Sequence, residues 1–214
     1  MPKEIFFNLP DEKRENIEEA IITEFENYNY ELASTNRIIV NCGISKGSLY
    51  QYFEDKKDMY KYLMEKITNE KMKYMSPIMM NPEGYDFFTI VREMYISGLK
   101  FVEDHPRFVA IGNRLVKDTT QPIYQEIIGD SSSIANNIFE SLLKQAFERG
   151  EIRGNIDTKF IGTLISSMNT SVAEFYLENV NAKWDNQLME TVDKFLDFLK
   201  FGISANNQGG NKND

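Results

Sequence analysis

Apolar residues recur at helical spacing along almost the whole chain, and no segment alternates as a strand would. Ile17, Ile21, Phe25 and Tyr28 share one side of a segment from Pro10 to Tyr28, whose acids cluster early, where the helix dipole favours them. Two short segments follow. Ser34 is placed to cap the first with its hydroxyl, Ile38 and Ile39 give it a buried side, and Gly43 can take the left-handed angle that stops it. Ser45 then caps a second segment, on which Leu49 and Phe53, four apart, face inward. Asp55 or a neighbour caps a fourth helix over about Lys57–Tyr74, with Met59, Tyr62 or Leu63, and Lys66 or Ile67 recurring.

Pro77 and Asn81-Pro82-Glu83-Gly84 interrupt the pattern and mark a domain boundary. Beyond it the spacing predicts helices over Tyr85–Asp104 and Arg107–Lys117, then a short one from Pro122 through Ile128. Asp130 or a nearby serine is expected to cap a separate helix from Ile134 to Arg149, closed by Gly150. Thr158–Glu178 and Asn186–Phe201 complete the set. The last carries Leu188, Val192, Phe195 and Leu199 at 4-3-4 spacing, widened by Met189, Leu196 and Phe198. A stripe that wide buries against more than one neighbour. The Asn/Gly-rich tail 204–214 reads as disordered.

Composition changes this picture little. A net charge of −9 argues, on average, against a polyanion partner. The average hides a local exception. From Leu32 to Phe53 there is no acid, while Arg37 and Lys46 are basic. Screening limits each charge to about 8–10 Å at physiological salt, so the window acts on its own. One cysteine and one histidine exclude a disulfide framework and a metal-ligand cluster, and no cofactor is expected. There is no phosphate-cradling glycine loop and no nucleophile elbow, which disfavours an enzyme. The longest uncharged run, Phe160–Ala173, is too short and too polar to span a bilayer, and the first residues lack an apolar signal core. A cytoplasmic protein is expected.

The paired short segments with their glycine turn form the helix-turn-helix pattern, whose second helix enters a DNA major groove. Lys46, Ser48, Tyr50, Gln51 and Tyr52 offer donors for phosphates and base edges, and Gly47 lets backbone approach the sugar–phosphate chain. Gly43-Ile44-Ser45-Lys46-Gly47-Ser48-Leu49-Tyr50-Gln51-Tyr52-Phe53, followed by Asp55-Lys56-Lys57-Asp58-Met59, closely resembles the signature of TetR-family transcriptional regulators. The helix from Ile17 to Tyr28, with Ala20, Ile21 and Phe25, resembles that family's first helix. Two positions depart. Ile39 stands where the family usually has alanine, implying local repacking, and Arg37 stands where an acid would complete a capping box.

The resemblance implies an all-α protein. An N-terminal three-helix DNA-binding domain occupies 1–56, and a helical-bundle domain for ligand binding and dimerisation occupies 57–203, with 57–76 as connecting helix. Ser34, Thr35, Arg37, Ser45, Lys46, Gly47, Ser48, Tyr50, Gln51, Tyr52 and Lys56 would face DNA. The last two long helices would pair with those of a second copy, and the dimer would read a pseudo-palindromic operator. The later helices are rich in methionine and aromatics with scattered polar residues. Phe88, Tyr95, Phe108, Arg114, Met168, Asn169 and Phe175 are candidates to line a pocket for a hydrophobic or amphipathic effector that relieves repression. The alternatives are a helical small-molecule-binding protein without operator-specific repression and, least favoured, a helical-bundle enzyme.

Overall fold

The computed structural model describes residues 1–117, 120, 122–179 and 186–203; of the side chains in this range, those of 129–135, 169–170, 173–179 and 186–188 are left undescribed. The tail 204–214 and the stripe residue Leu188 thus lie outside the described side chains. The described residues form helices α1 (Glu4–Phe7), α2 (Asp11–Asn27), α3 (Thr35–Cys42), α4 (Lys46–Tyr52), α5 (Lys56–Met72), α6 (Pro77–Met80), α7 (Phe87–Asp104), α8 (Pro106–Lys117), α9 (Pro122–Glu148), α10 (Thr158–Asn179) and α11 (Asn186–Ile203). No strand occurs among them.

Contacts divide the chain into two compact units: Met1–Lys73 with Asp104–Asp130, and Tyr74–Glu103 with Ser131–Asp214. In the first, Phe6, Ile17, Ile21, Phe25, Ile38, Leu49, Phe53, Met59 and Leu63 are almost wholly buried. The predicted faces of α2, α4 and α5 therefore turn inward, where burial of each side chain contributes about 1.5–3 kcal/mol. α8 lies against α2. Arg107 joins them, donating to Glu26 Oε2 (2.6 Å), Glu19 Oε1 (2.7 Å) and Thr23 Oγ1 (2.8 Å).

The second unit has an apolar core of Phe87, Ile90, Val91 and Tyr95 from α7, Phe139, Leu142, Leu143 and Ala146 from α9, Ile165 from α10, and Val192, Phe195, Leu196 and Leu199 from α11. Asp86 starts α7, accepting the Phe88 and Thr89 N–H groups at 3.0 Å each. Gly150, at φ 74°, follows α9 as expected.

Three features differ from the sequence reading. α1 lies ahead of Pro10, where the first helix was expected to begin. Pro77 opens a turn of helix rather than only breaking one, with Ser76 Oγ accepting the Met79 N–H. α9 is one helix where two were expected. Residues 129–133 contain no proline, and glycine, serine or aspartate within a helix costs only about 0.5–1 kcal/mol each. Buried flanks, Ile123 on one side and Phe139 to Ala146 on the other, outweigh that.

Candidate functional site

The turn between α3 and α4 follows from a few residues. Gly43 sits at φ 67°, ψ 25°, the left-handed region that side chains disfavour. Ser45 is extended, and its Oγ accepts the Ser48 N–H at 3.0 Å, so the predicted cap is formed. Leu49 and Phe53 are both 0% exposed, which fixes the rotation of α4. Lys46, Gly47, Tyr50 and Gln51 consequently face outward with Ser45, and Ser48 is half-buried. The outward face is free of acids because residues 32–53 contain none.

Other expected contact residues have structural partners. Ser34 has N-cap backbone angles, but its hydroxyl makes no capping bond. Its N–H donates instead to Glu24 Oε1 at 2.6 Å. The Glu24 carboxylate is buried and also accepts from Arg37 Nε (3.0 Å) and Nη2 (2.6 Å). Arg37 Nη2 donates further to Leu32 O at 2.7 Å, and its guanidinium lies 3.9 Å over the Tyr28 ring. The hydrogen bond to Glu24 holds the Arg37 pKa above its ordinary value. Glu24, from another helix, supplies the carboxylate at a corner where position 37 has none. Thr35 remains half-exposed.

Lys56 Nζ donates to the carbonyls of Tyr30 (2.7 Å), Glu31 (3.3 Å) and Ala33 (3.2 Å) and lies 4.6 Å from the Tyr30 ring centroid. It gathers the loop between α2 and α3. Tyr52, read from the sequence as outward, is only 4% exposed. Its inward position is made possible by Phe6, whose ring is 6.1 Å from Tyr52 and 4.8 Å from Phe53. Cys42 is buried, which pushes its thiol pKa up and away from thiolate reactivity.

The sequence reading missed the lead-in to α4. Lys3 N–H donates to Tyr52 O at 2.8 Å and Lys3 Nζ to Tyr50 O at 2.9 Å. Two carbonyls near the end of α4, left without intrahelical donors, are thereby satisfied. The signal was present in Ile5-Phe6-Phe7, an apolar triplet within an otherwise polar opening.

The effector candidates separate. Tyr95 is buried in the second unit, where Phe88 and Met168 are half-buried. Phe108 and Arg114 belong to the first unit. Phe108 stacks on His105 with ring centroids 5.2 Å apart, and Arg114 Nε donates to Glu26 O at 2.9 Å. The side chains of Asn169 and Phe175 lie outside the described residues. Met168, Ser171, Val172, Thr191 and Phe195 surround an apolar groove of about 210 Å³ between α10 and α11. Among the described residues, no helix is long and apolar enough to cross a membrane.

Residues 17–63 match the family model described as bacterial regulatory proteins, tetR family. An HTH-type transcriptional regulator of Staphylococcus aureus (strain bovine RF122 / ET3-1) is 26% identical over 172 residues, 78% of this chain and 84% of the relative. The crystal structure of a TetR family transcriptional regulator from Chloroflexus aurantiacus J-10-FL is similar at 25% identity and a TM-score of 0.74, covering 95% of this chain and 99% of that one. The fatty acid degradation regulator FadR from Bacillus halodurans shares the fold at 18% identity and a TM-score of 0.66, covering 91% of this chain and 97% of its own.

Proposed function

The chain belongs to the TetR family of DNA-binding transcriptional regulators, and we propose that it works as a homodimeric repressor released from its operator by a small apolar or amphipathic effector. The family consists of transcription factors rather than enzymes. We assign DNA reading to residues 1–56, effector binding and dimerisation to 57–203, and place the protein in the cytoplasm with its DNA.

The observation that carries the DNA-reading assignment is the two-sidedness of α4. Leu49 and Phe53 are buried, while Lys46, Tyr50 and Gln51 are exposed on an acid-free face. Lys46 and Tyr50 are assigned to phosphates, and Gln51 to a base edge. Arg37, Lys56 and Tyr52 act on DNA indirectly, by holding the reading pair in shape. Dimerisation is supported by large apolar side chains exposed on the last two helices: Phe160 and Phe198 are 59% and 64% exposed, and Leu164 is 40% exposed. A second copy would cover them, and paired reading helices about 34 Å apart would engage successive turns of one duplex. Effector binding would favour a state in which the two helices no longer match that spacing.

The test is retardation of a DNA fragment from upstream of the protein's own gene, with affinity falling steeply as salt rises. Gln51→Ala should relax sequence preference by about 1–3 kcal/mol while leaving binding to random DNA unchanged. Equal losses on both would refute a base-reading role. Sedimentation velocity should show a dimer at micromolar concentration, and a monomer there would remove the paired-site reading.

A further inference from the structure

Buried polar groups are sparse in the second unit. Tyrosine apart, Ser97 is its only buried polar or charged residue among those described. Tyr95, midway along α7, is 8% exposed. Its hydroxyl oxygen is shielded from solvent and has no hydrogen-bond partner among the described residues. The ring meets Phe195 edge-on, with centroids 6.4 Å apart, within the apolar core cluster. Phe195 also lines the groove with Met168, Val172, Thr191 and Ser171, whose Oγ is already donating to Ser167 O at 3.2 Å. A buried hydroxyl left unpaired is costly, and an incoming acceptor recovers that cost.

We propose that Tyr95 is the polar anchor of the effector site, donating its O–H to a neutral acceptor, a carbonyl, ester or ether oxygen, on an otherwise apolar molecule. This rests on the effector-binding reading above and gives it a chemical class. Neutrality follows from the surroundings. No lysine, arginine or histidine is buried in this unit among the described residues, so a carboxylate would lose its hydration without a counter-charge. Burial also pushes the Tyr95 phenol pKa up, so the group stays a donor. Partly buried Met94, Met168 and Met189 pack against the same core and can re-form around different apolar bodies.

The experiment uses the full chain and three probes of matched size: acetophenone, α-methylstyrene, in which a methylene replaces the carbonyl oxygen, and benzoate. Titration calorimetry on wild type should show acetophenone binding about tenfold tighter than α-methylstyrene, with benzoate weakest. Tyr95→Phe, which removes one oxygen, should bring the two neutral probes level. Equal binding of those two by wild type, a preference that survives in Tyr95→Phe, or tightest binding of benzoate would overturn the role of Tyr95 and leave effector binding standing. Failure of both neutral probes to bind wild type would overturn the effector-binding reading and this inference with it. A crystal structure of wild type with acetophenone tests the contact without any variant. The carbonyl oxygen should lie about 3 Å from Tyr95 Oη, and an ordered water there instead, with the carbonyl elsewhere, would also overturn it.

Discussion

The two units bury polar groups in opposite ways. The first encloses Glu18, Glu24 and Asp58, and each is matched. Glu18 accepts from Tyr62 Oη and, at 2.6 Å, from Lys66 Nζ. Glu24 takes Arg37 and the Ser34 N–H, and Asp58 takes the Glu54 N–H at 3.1 Å. Among its described residues the second unit encloses no ionic side chain and leaves Tyr95 Oη unmatched. Buried ion pairs add little net stability, but their directionality specifies one arrangement. Apolar contacts are less particular about shape. On the proposed reading, a surface that presents Lys46, Tyr50 and Gln51 in fixed register benefits from the first kind of interior, and a region that admits a guest benefits from the second.

Five substitutions would break or sharpen that contrast. Phe6→Ala removes a side chain that is 0% exposed and props up Tyr52 and Phe53. It should cost about 3–5 kcal/mol in chemical denaturation. A loss under about 1 kcal/mol would mean that the lead-in is not part of the reading unit's core. Glu24→Gln keeps the shape but removes the charge under Arg37, and should cost about 1–3 kcal/mol. In a double-mutant cycle with Arg37→Ala the two should be strongly non-additive. If Arg37→Ala instead leaves stability intact and flattens the salt dependence of DNA binding, its guanidinium faces phosphate after all.

Gly162→Ala probes the other interior. A Cβ there would lie 2.9 Å from the backbone N and 3.2 Å from the Cα of Glu140, so α9 and α10 would have to separate. Overpacking of about 1–3 kcal/mol, less about 1 kcal/mol gained in helix propensity, leaves a net loss of about 1 kcal/mol. Faster amide exchange confined to α9 and α10 is the expected signature, and a stabilised variant would show that the helices have room to spare. Lys3→Ala removes an exposed hydrogen bond to Tyr50 O and should change stability by less than about 0.5 kcal/mol.

Local rules made much of this legible. Periodicity placed Ile17, Ile21 and Phe25 inside, and Gly43 and Ser45 shaped the turn because their effects act within a few residues. What escaped was set by partners distant in sequence. Tyr52 can serve either face of a helix, and Phe6, many residues earlier, decides which. Arg37 reads as a free cation until Glu24, from the preceding helix, closes on it. Lys56 reads as a phosphate ligand until the carbonyls of Tyr30, Glu31 and Ala33 converge on its ammonium. The continuity of α9 depended on burial at its two flanks outweighing weak helix formers between them.

The docking of Lys3 against the end of α4 has a practical side. Any purification handle fused ahead of that lysine would emerge near Tyr50, next to the face proposed to meet the duplex. It would compete there for space and, if rich in histidine, would bring its own attraction for polyanions. Binding constants gathered with the handle at this end and with it at the other should be compared before either is attributed to the protein itself.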